Sequence, residues 1–287
     1  MRKIFLSPFI FSIFLYACQP STEQGKTTTD STANKTEVPA VSEVQAENGD
    51  TLSFPERNGI KLVAMDSIPD FPDAKLEQVS PKENAKVNSP VNFKYTLTNY
   101  QLGDQTSKDG CTNCANSDKG QHIHLILNNN PYIAVYDTEH KEKLGPGHYV
   151  ELSFLSRSYH ISVKNPDAYV LREFTVGNPE AKSVEFDKNA PQMFYSRPKG
   201  SYTTEEGNVI LDFFLVNTKL SPDGNKVRAT INGNSFIITH WRPYVIEGLQ
   251  EGETTVKLEL LDNTGALVKS PFNPVERKIT ITKEGAA

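Results

Sequence analysis

"GQHIHLILNNNPYI" (Gly120–Ile133) and "GNKVRATINGNSFI" (Gly224–Ile237) are two copies of one pattern: a glycine, an alternating run, an Asn-rich turn and a second short run. Runs with a two-residue period, bounded by turn residues, predict β-strands. The correspondence continues downstream, where "GPGHYVELSFL" (Gly145–Leu155) lies over "QEGETTVKLELL" (Gln250–Leu261). The copies are offset by 117 positions at Pro81/Pro198 and by 104 at Gly120/Gly224. The first copy therefore carries 13 additional residues, and they include Cys111 and Cys114.

The remaining runs, such as "VNFKYTLTNY" (91–100), "AYVLREFTV" (168–176), "GNVILDFFLVN" (207–217) and "ERKITIT" (276–282), are also short and alternating. No stretch has a convincing 3.6-residue period. An internal repeat of ~100 residues with about seven short strands per copy predicts an all-β chain of two tandem immunoglobulin-like β-sandwich domains. Their expected bounds are 73–178 and 183–283. Residues 51–72, with "GIKLVAMDSI" (59–68), read as an extension offering an added edge strand.

The chain opens "MRKIFLSPFIFSIFLYAC". Arg2 and Lys3 precede an apolar run, Ile4 to Tyr16, that is shorter than the ~20 residues a membrane-spanning helix needs. Leu15-Tyr16-Ala17-Cys18 resembles the lipobox of bacterial lipoproteins. Residues 1–17 are thus expected to be a lipoprotein signal peptide, with Cys18 the acylated first residue of the mature chain. Residues 18–50 are rich in Ser, Thr, Lys and Glu and nearly free of large apolar side chains, the composition of a flexible tether. Localisation in the cell envelope follows, at the outer membrane, on its periplasmic face or on the cell surface. Without residues 1–17, 28 basic residues face 35 acidic ones, a formal charge of −7. That balance gives no electrostatic footprint for nucleic acid.

With Cys18 acylated, Cys111 and Cys114 are the only thiols left to pair, and an oxidising compartment favours a disulfide. "GQHIHLILNNNPYIAVYD" (120–137), "LGPGHYVELSFLSRSYH" (144–160) and "AYVLREFTVG" (168–177) carry a resemblance to a family of bacterial lipoproteins and exported domains of unknown function. Its marks are an H-x-H strand and a later Pro-Gly-x-x-Val/Leu strand. Some relatives bear the label phosphopeptide-binding protein, so the resemblance implies an envelope location and a binding role. The second copy departs from it, with Lys226 and Arg228 in the places of His122 and His124.

In a sandwich, "QHIHLIL" and "GHYVELSFL" are adjacent antiparallel strands. Alternation then sends Ile123, Leu125 and Leu127 to the core and His122 and His124 outward. On the second strand, Val150, Leu152 and Phe154 are expected inward, with Tyr149, Glu151 and Ser153 outward. The loops 101–120 and 157–167 should meet at one end, bringing Cys111, Cys114, His122, His124, Tyr159 and His160 together. His140 and His148 belong elsewhere.

Three chemistries suit this convergence. His122, His124 and His160 offer three neutral nitrogens to copper or zinc, with a position left open. The cysteines alternatively staple a loop beside half-exposed histidines. Tyr132, Tyr136, Tyr159 and Arg157 alternatively form a recognition surface for an envelope protein or peptide, with Lys164 and Arg172 adding anion capture. No nucleophile elbow, P-loop, H-E-x-x-H helix or dinucleotide fingerprint occurs, so the expected role is a non-enzymatic binding module.

Overall fold

Each alternating run becomes a strand because its apolar residues can be buried together on one face. The computed structural model of the chain describes residues 54–66, 68–109, 111, 114–180, 185–203 and 209–283. The expected signal peptide (1–17), the expected lipidation site Cys18 and the expected tether (18–50) lie outside these residues. Among the described residues no helix is long and apolar enough to cross a membrane.

The strands in chain order begin with β1 (Lys61–Ala64), β2 (Lys75–Ser80), β3 (Ala85–Val87) and β4 (Val91–Thr98). They continue with β5 (His122–Leu127), β6 (Ile133–Val135), β7 (Glu139–Glu142), β8 (Gly147–Ser156) and β9 (Tyr169–Val176). The second copy supplies β10 (Gln192–Arg197), β11 (Ser201–Thr203), β12 (Val209–Val216) and β13 (Lys226–Ile231). The last four are β14 (Asn234–Ile238), β15 (Tyr244–Glu247), β16 (Gly252–Leu261) and β17 (Val275–Thr282).

The first sandwich packs a sheet ordered β2-β4-β7 against one ordered β3-β9-β8-β5-β6. The second repeats the plan with β11-β17-β16-β13-β14 against β1-β15-β12-β10. The chain is therefore all-β, with two immunoglobulin-like sandwiches. The edge strand in the extension is β1. It pairs antiparallel with β15, so it belongs to the second sandwich although it precedes the first in sequence.

The two sandwiches are stacked as four layers. Phe93, Tyr95, Ile123, Leu125 and Phe174 fill the first sandwich. Leu211, Phe213, Val227, Leu258 and Ile279 are among those filling the second. A third apolar layer joins them, where Ile126, Leu152 and Phe154 meet Phe194, Phe214 and Val216. The strands of this middle layer are buried on both faces. Every residue of β5, β10 and β12 is buried, including all of "VILDFFLV". A strand with no wet face has no reason to alternate in polarity.

This stacking corrects the expected parity of β8. Partners directly opposite in an antiparallel pair share a face, and His124 pairs with Phe154 and Ile126 with Leu152. Val150, Leu152 and Phe154 thus point to the layer between the sandwiches, while Glu151 and Ser153 share a face with Leu127 and Leu125, towards the first core. Both faces of β8 are apolar environments, so hydrophobicity alone could not orient it.

Glu151 is consequently a carboxyl in a core. It accepts from Gln78 Nε2 at 2.8 Å, Ser153 Oγ at 2.8 Å and Tyr95 Oη at 3.1 Å. Burial pushes its carboxyl, ordinarily near 4.5, up to about 7. Between those values the folded state holds a proton that the unfolded state has released, so stability falls as pH rises through this window. The loss should amount to about 3 kcal/mol between pH 4.5 and pH 8, at 1.36 kcal/mol per unit. Denaturant unfolding at several pH values should show this decline in the native chain and a flatter profile in Glu151→Gln. Parallel profiles would show that Glu151 is not the group responsible.

Candidate metal centre

Period 2 places the side chains of His122 and His124 on one face of β5. His160 reaches the same point from the turn after β8. Its N–H donates to the Arg157 carbonyl at 2.9 Å, and its backbone takes φ +66°. Few residues other than glycine adopt that conformation, and it often marks a functional constraint.

The loops 101–120 and 157–167 meet as expected. Ser117 N–H donates to the Ser158 carbonyl at 2.8 Å, and Thr106 and Ser158 exchange side-chain bonds to each other's backbone N–H. Gly120 is required where they approach β5. It has φ +77°, and a Cβ there would lie 2.1 Å from the Gly103 carbonyl oxygen. Its own carbonyl accepts from His122 Nδ1 at 2.9 Å.

Three ring nitrogens converge. His122 Nε2 lies 3.0 Å from His124 Nε2 and 3.0 Å from His160 Nδ1. All three lie within 4.8 Å of one another. The Gly120 carbonyl can only accept, so His122 carries its proton on Nδ1 and presents a lone pair at Nε2. That single lone pair faces two other nitrogens. His124 turns its Nδ1 to Ser196 Oγ at 3.2 Å, and its ring stacks on Tyr132 with centroids 3.5 Å apart and planes at 7°. Tyr132 Oη lies 3.2 Å from His160 Nδ1.

The histidine face is not solvent-facing. His122 and His124 are fully buried and His160 is half-buried. The reason is the second sandwich, whose β10 lays Ser196 and Arg197 against this face. Burial holds all three imidazoles neutral. It pulls His122 down to about 4 and His160 down to about 2, and takes His124 well below the usual range. Arg197 and Lys199 push each further in the same direction.

The other candidates lie elsewhere or are already engaged. Cys111 and Cys114 form a disulfide, Cα–Cα 5.5 Å, in a cluster with Met65, Tyr159, Ile161, Ile210 and Val245. They staple the loop and leave no thiolate to ligate. Tyr132, Tyr159 and Arg157 are buried and Tyr136 is half-buried, so they form no exposed recognition surface. Arg157 is committed to the carbonyls of Pro69 and Ser162, Arg172 to those of Pro81 and Gln78, and Lys164 to Asp212. None of these three is free for anion capture. His140 and His148 pair with Glu142 and Thr175, away from the cluster.

Sequence reasoning missed the residues that enclose the site: Ser196, Arg197, Lys199 and the turn residue Asn129. Asn129 accepts from Tyr195 N–H at 2.8 Å and so pins its turn to the second sandwich. The available signal was the apolar character of "VILDFFLV" on both faces, broken only by Asp212, which marks a strand covered on both sides.

No protein-family model matches the chain, and no curated protein matches it in sequence. Among solved structures it is similar to the fibronectin(III)-like modules of Clostridium thermocellum CbhA, at 11% identity over 74% of this chain and 96% of that one, TM-score 0.26. It is also similar to the SGBP-B protein of the Bacteroides ovatus mixed-linkage glucan utilization locus, in complex with a mixed-linkage heptasaccharide. There the identity is 10% over 73% and 71% of the two chains, TM-score 0.23. Domains 4 and 5 of the S-layer protein SbsC give 12% identity over 75% and 100%, TM-score 0.18. These likenesses are too distant to carry a ligand across. The molecule's own geometry defines an all-β protein enclosing a three-histidine cluster.

Proposed function

We propose that this chain is a non-enzymatic envelope lipoprotein, anchored through Cys18, that binds copper or zinc through His122, His124 and His160. The observation supporting it is the convergence of three neutral imidazole nitrogens around one lone pair. Without an ion, His122 Nε2 must either accept from two donors at once or face another nitrogen's lone pair. With an ion among them, each nitrogen turns its lone pair inward.

The donor set fits such an ion. Neutral imidazole suits copper and zinc, and ligation requires the deprotonated state that burial already imposes here. The partners of the outer nitrogens also fit. His122 Nδ1–H on a backbone carbonyl and His124 Nδ1 on a hydroxyl fix ring orientation, as outer partners of metal-ligating histidines do. Nitrogens in a tetrahedral site at ~2.0–2.1 Å from the ion stand about 3.4 Å apart, so a pair at the 4.8 Å limit must close by about 1.4 Å as the ion binds. Three nitrogens leave a fourth position for a further ligand.

The test is titration of the chelator-treated, tag-free chain with Zn(II) and with Cu(II) under chelator competition. Affinity should fall at least about a hundredfold in His122→Ala/His124→Ala. Because that pair is buried, His160→Asn serves as a second variant; asparagine tolerates positive φ. Metal at ~100 times its Kd should also stabilise the native chain by about 2.7 kcal/mol and leave the variants unchanged. Equal affinity in native and variant chains would remove the reading.

A further inference from the structure

Next to the histidines lies a group of cations with no acidic partner among the described residues. Arg197 and Arg277 are each only 9% exposed, and Lys199 is half-buried. Arg197 Nη1 donates to Tyr202 Oη at 2.9 Å, but its buried Nε has no partner. Lys199 Nζ sits 3.6 Å from the Tyr132 ring centroid and donates to the Tyr132 carbonyl at 2.8 Å. Arg277 donates to the carbonyls of Tyr195, Ser196 and Asn129. Among the described residues none of the three forms a salt bridge, although 11 other ion pairs occur. Buried charges are ordinarily paired, because an unpaired one gives up hydration without compensation.

The cost is visible in Lys199 and Arg277, whereas for Arg197 burial is outweighed by the neighbouring Tyr132 and Tyr202, which hold the guanidinium above its usual range. Burial, then the charges of Arg197 and Arg277, hold Lys199 down to about 8, and burial holds Arg277 down to about 10. A divalent ion on three neutral imidazoles adds two positive charges to this group. The Tyr132 phenol is badly placed to supply the missing negative charge. Its ring lies parallel to that of His124 with centroids 3.5 Å apart, so an ion in the plane of the His124 ring stays well beyond bonding distance of Tyr132 Oη. Among the described residues no carboxylate is placed to supply the counter-charge, which points to a bound anion.

We propose that the three-histidine centre takes up its metal together with a small oxyanion, one oxygen filling the metal's open position and Arg197 engaging the anion from the second sandwich. The inference rests on the metal reading above. Lys199 and Arg277 add long-range attraction, and Arg197 Nε is the unused donor. Coupling is reciprocal: the factor by which the anion tightens metal binding is the factor by which metal tightens anion binding.

The experiment is calorimetric titration of the tag-free full chain with Zn(II), in an amine buffer with chloride only and again with formate or with sulfate added. In the native chain either oxyanion should tighten Zn(II) binding at least about tenfold; the two probes separate planar from tetrahedral preference. Arg197→Gln should bind Zn(II) more tightly than the native chain in chloride, since a repelling charge is gone, and should lose the oxyanion response. Lys199→Gln, at a half-buried position and safer for folding, should weaken that response without abolishing it. Zn(II) binding in the native chain that is indifferent to both oxyanions overturns the inference and leaves the metal reading standing. So does an undiminished response in both variants. Failure to bind Zn(II) or Cu(II) in any buffer overturns both.

Discussion

Asp212→Ala should destabilise the chain by about 3–5 kcal/mol, the usual consequence of stripping one partner from a buried ion pair. Asp212 projects from β12 of the second sandwich and is fully buried. Its carboxylate accepts from Lys164 Nζ at 2.6 Å, Ser162 Oγ at 3.1 Å and Ser162 N–H at 3.2 Å, all in the first sandwich. Lys164 is mostly withdrawn from water, with 16% of its side chain exposed. Burial lowers its ammonium below the usual lysine range, outweighing the pull of Asp212 in the other direction. The pair therefore contributes little beyond hydrophobic residues of the same shape, yet its half-removal leaves a largely desolvated charge without its partner. Lys164→Met combined with Asp212→Leu should recover most of the loss. Denaturant unfolding of the three variants decides it. A double variant as unstable as Asp212→Ala would mean that the hydrogen bonds to Ser162, and not the stranded ammonium, set the cost.

Phe214→Ala should cost about 3–5 kcal/mol by emptying the centre of the middle layer. The ring is fully buried, stacks on Phe154 at 4.8 Å and 16°, and takes the edge of Trp241 at 5.1 Å and 87°. Trp241 is fixed in turn by its indole N–H on the Phe213 carbonyl at 2.8 Å. The void cannot close without shifting two sandwiches against each other, so relaxation recovers little. Unfolding monitored through this single tryptophan should show the native chain and Phe214→Ala each losing structure in one transition, the variant at lower denaturant. A cost under about 1 kcal/mol would mean that the two sheets are not packed at interior density.

The two-copy all-β plan was legible because turn residues and period-2 runs are local signals, and the copies at Gly120 and Gly224 share both. The co-orientation of His122 and His124 was legible for the same reason: spacing on a strand dictates it. What covers that face was not local. Reading polarity as exposure works for β13, where Lys226, Arg228 and Thr230 alternate with buried Val227, Ala229 and Ile231. It fails for β8, where Glu151 faces a core and Phe154 faces a neighbouring sandwich. It fails again for Tyr132 and Arg157, whose polar tips meet internal partners. The disulfide followed from counting thiols, while the enclosing Arg197 lay in the copy that lacks the histidines.

The pairing of β1 with β15 makes the first sandwich an insertion, entered from one edge of the second and left through β10 on the opposite edge. During synthesis, Lys61–Ala64 must wait for Tyr244–Glu247 before its ladder can form. Contacts of such long sequence separation raise contact order and slow folding. The strands of the first sandwich are contiguous in sequence, so it can close before the second is complete. The histidine face it contributes stays uncovered until β10 of the second sandwich docks against it, so under the proposed role an ion reaches these nitrogens most easily before the two sandwiches close.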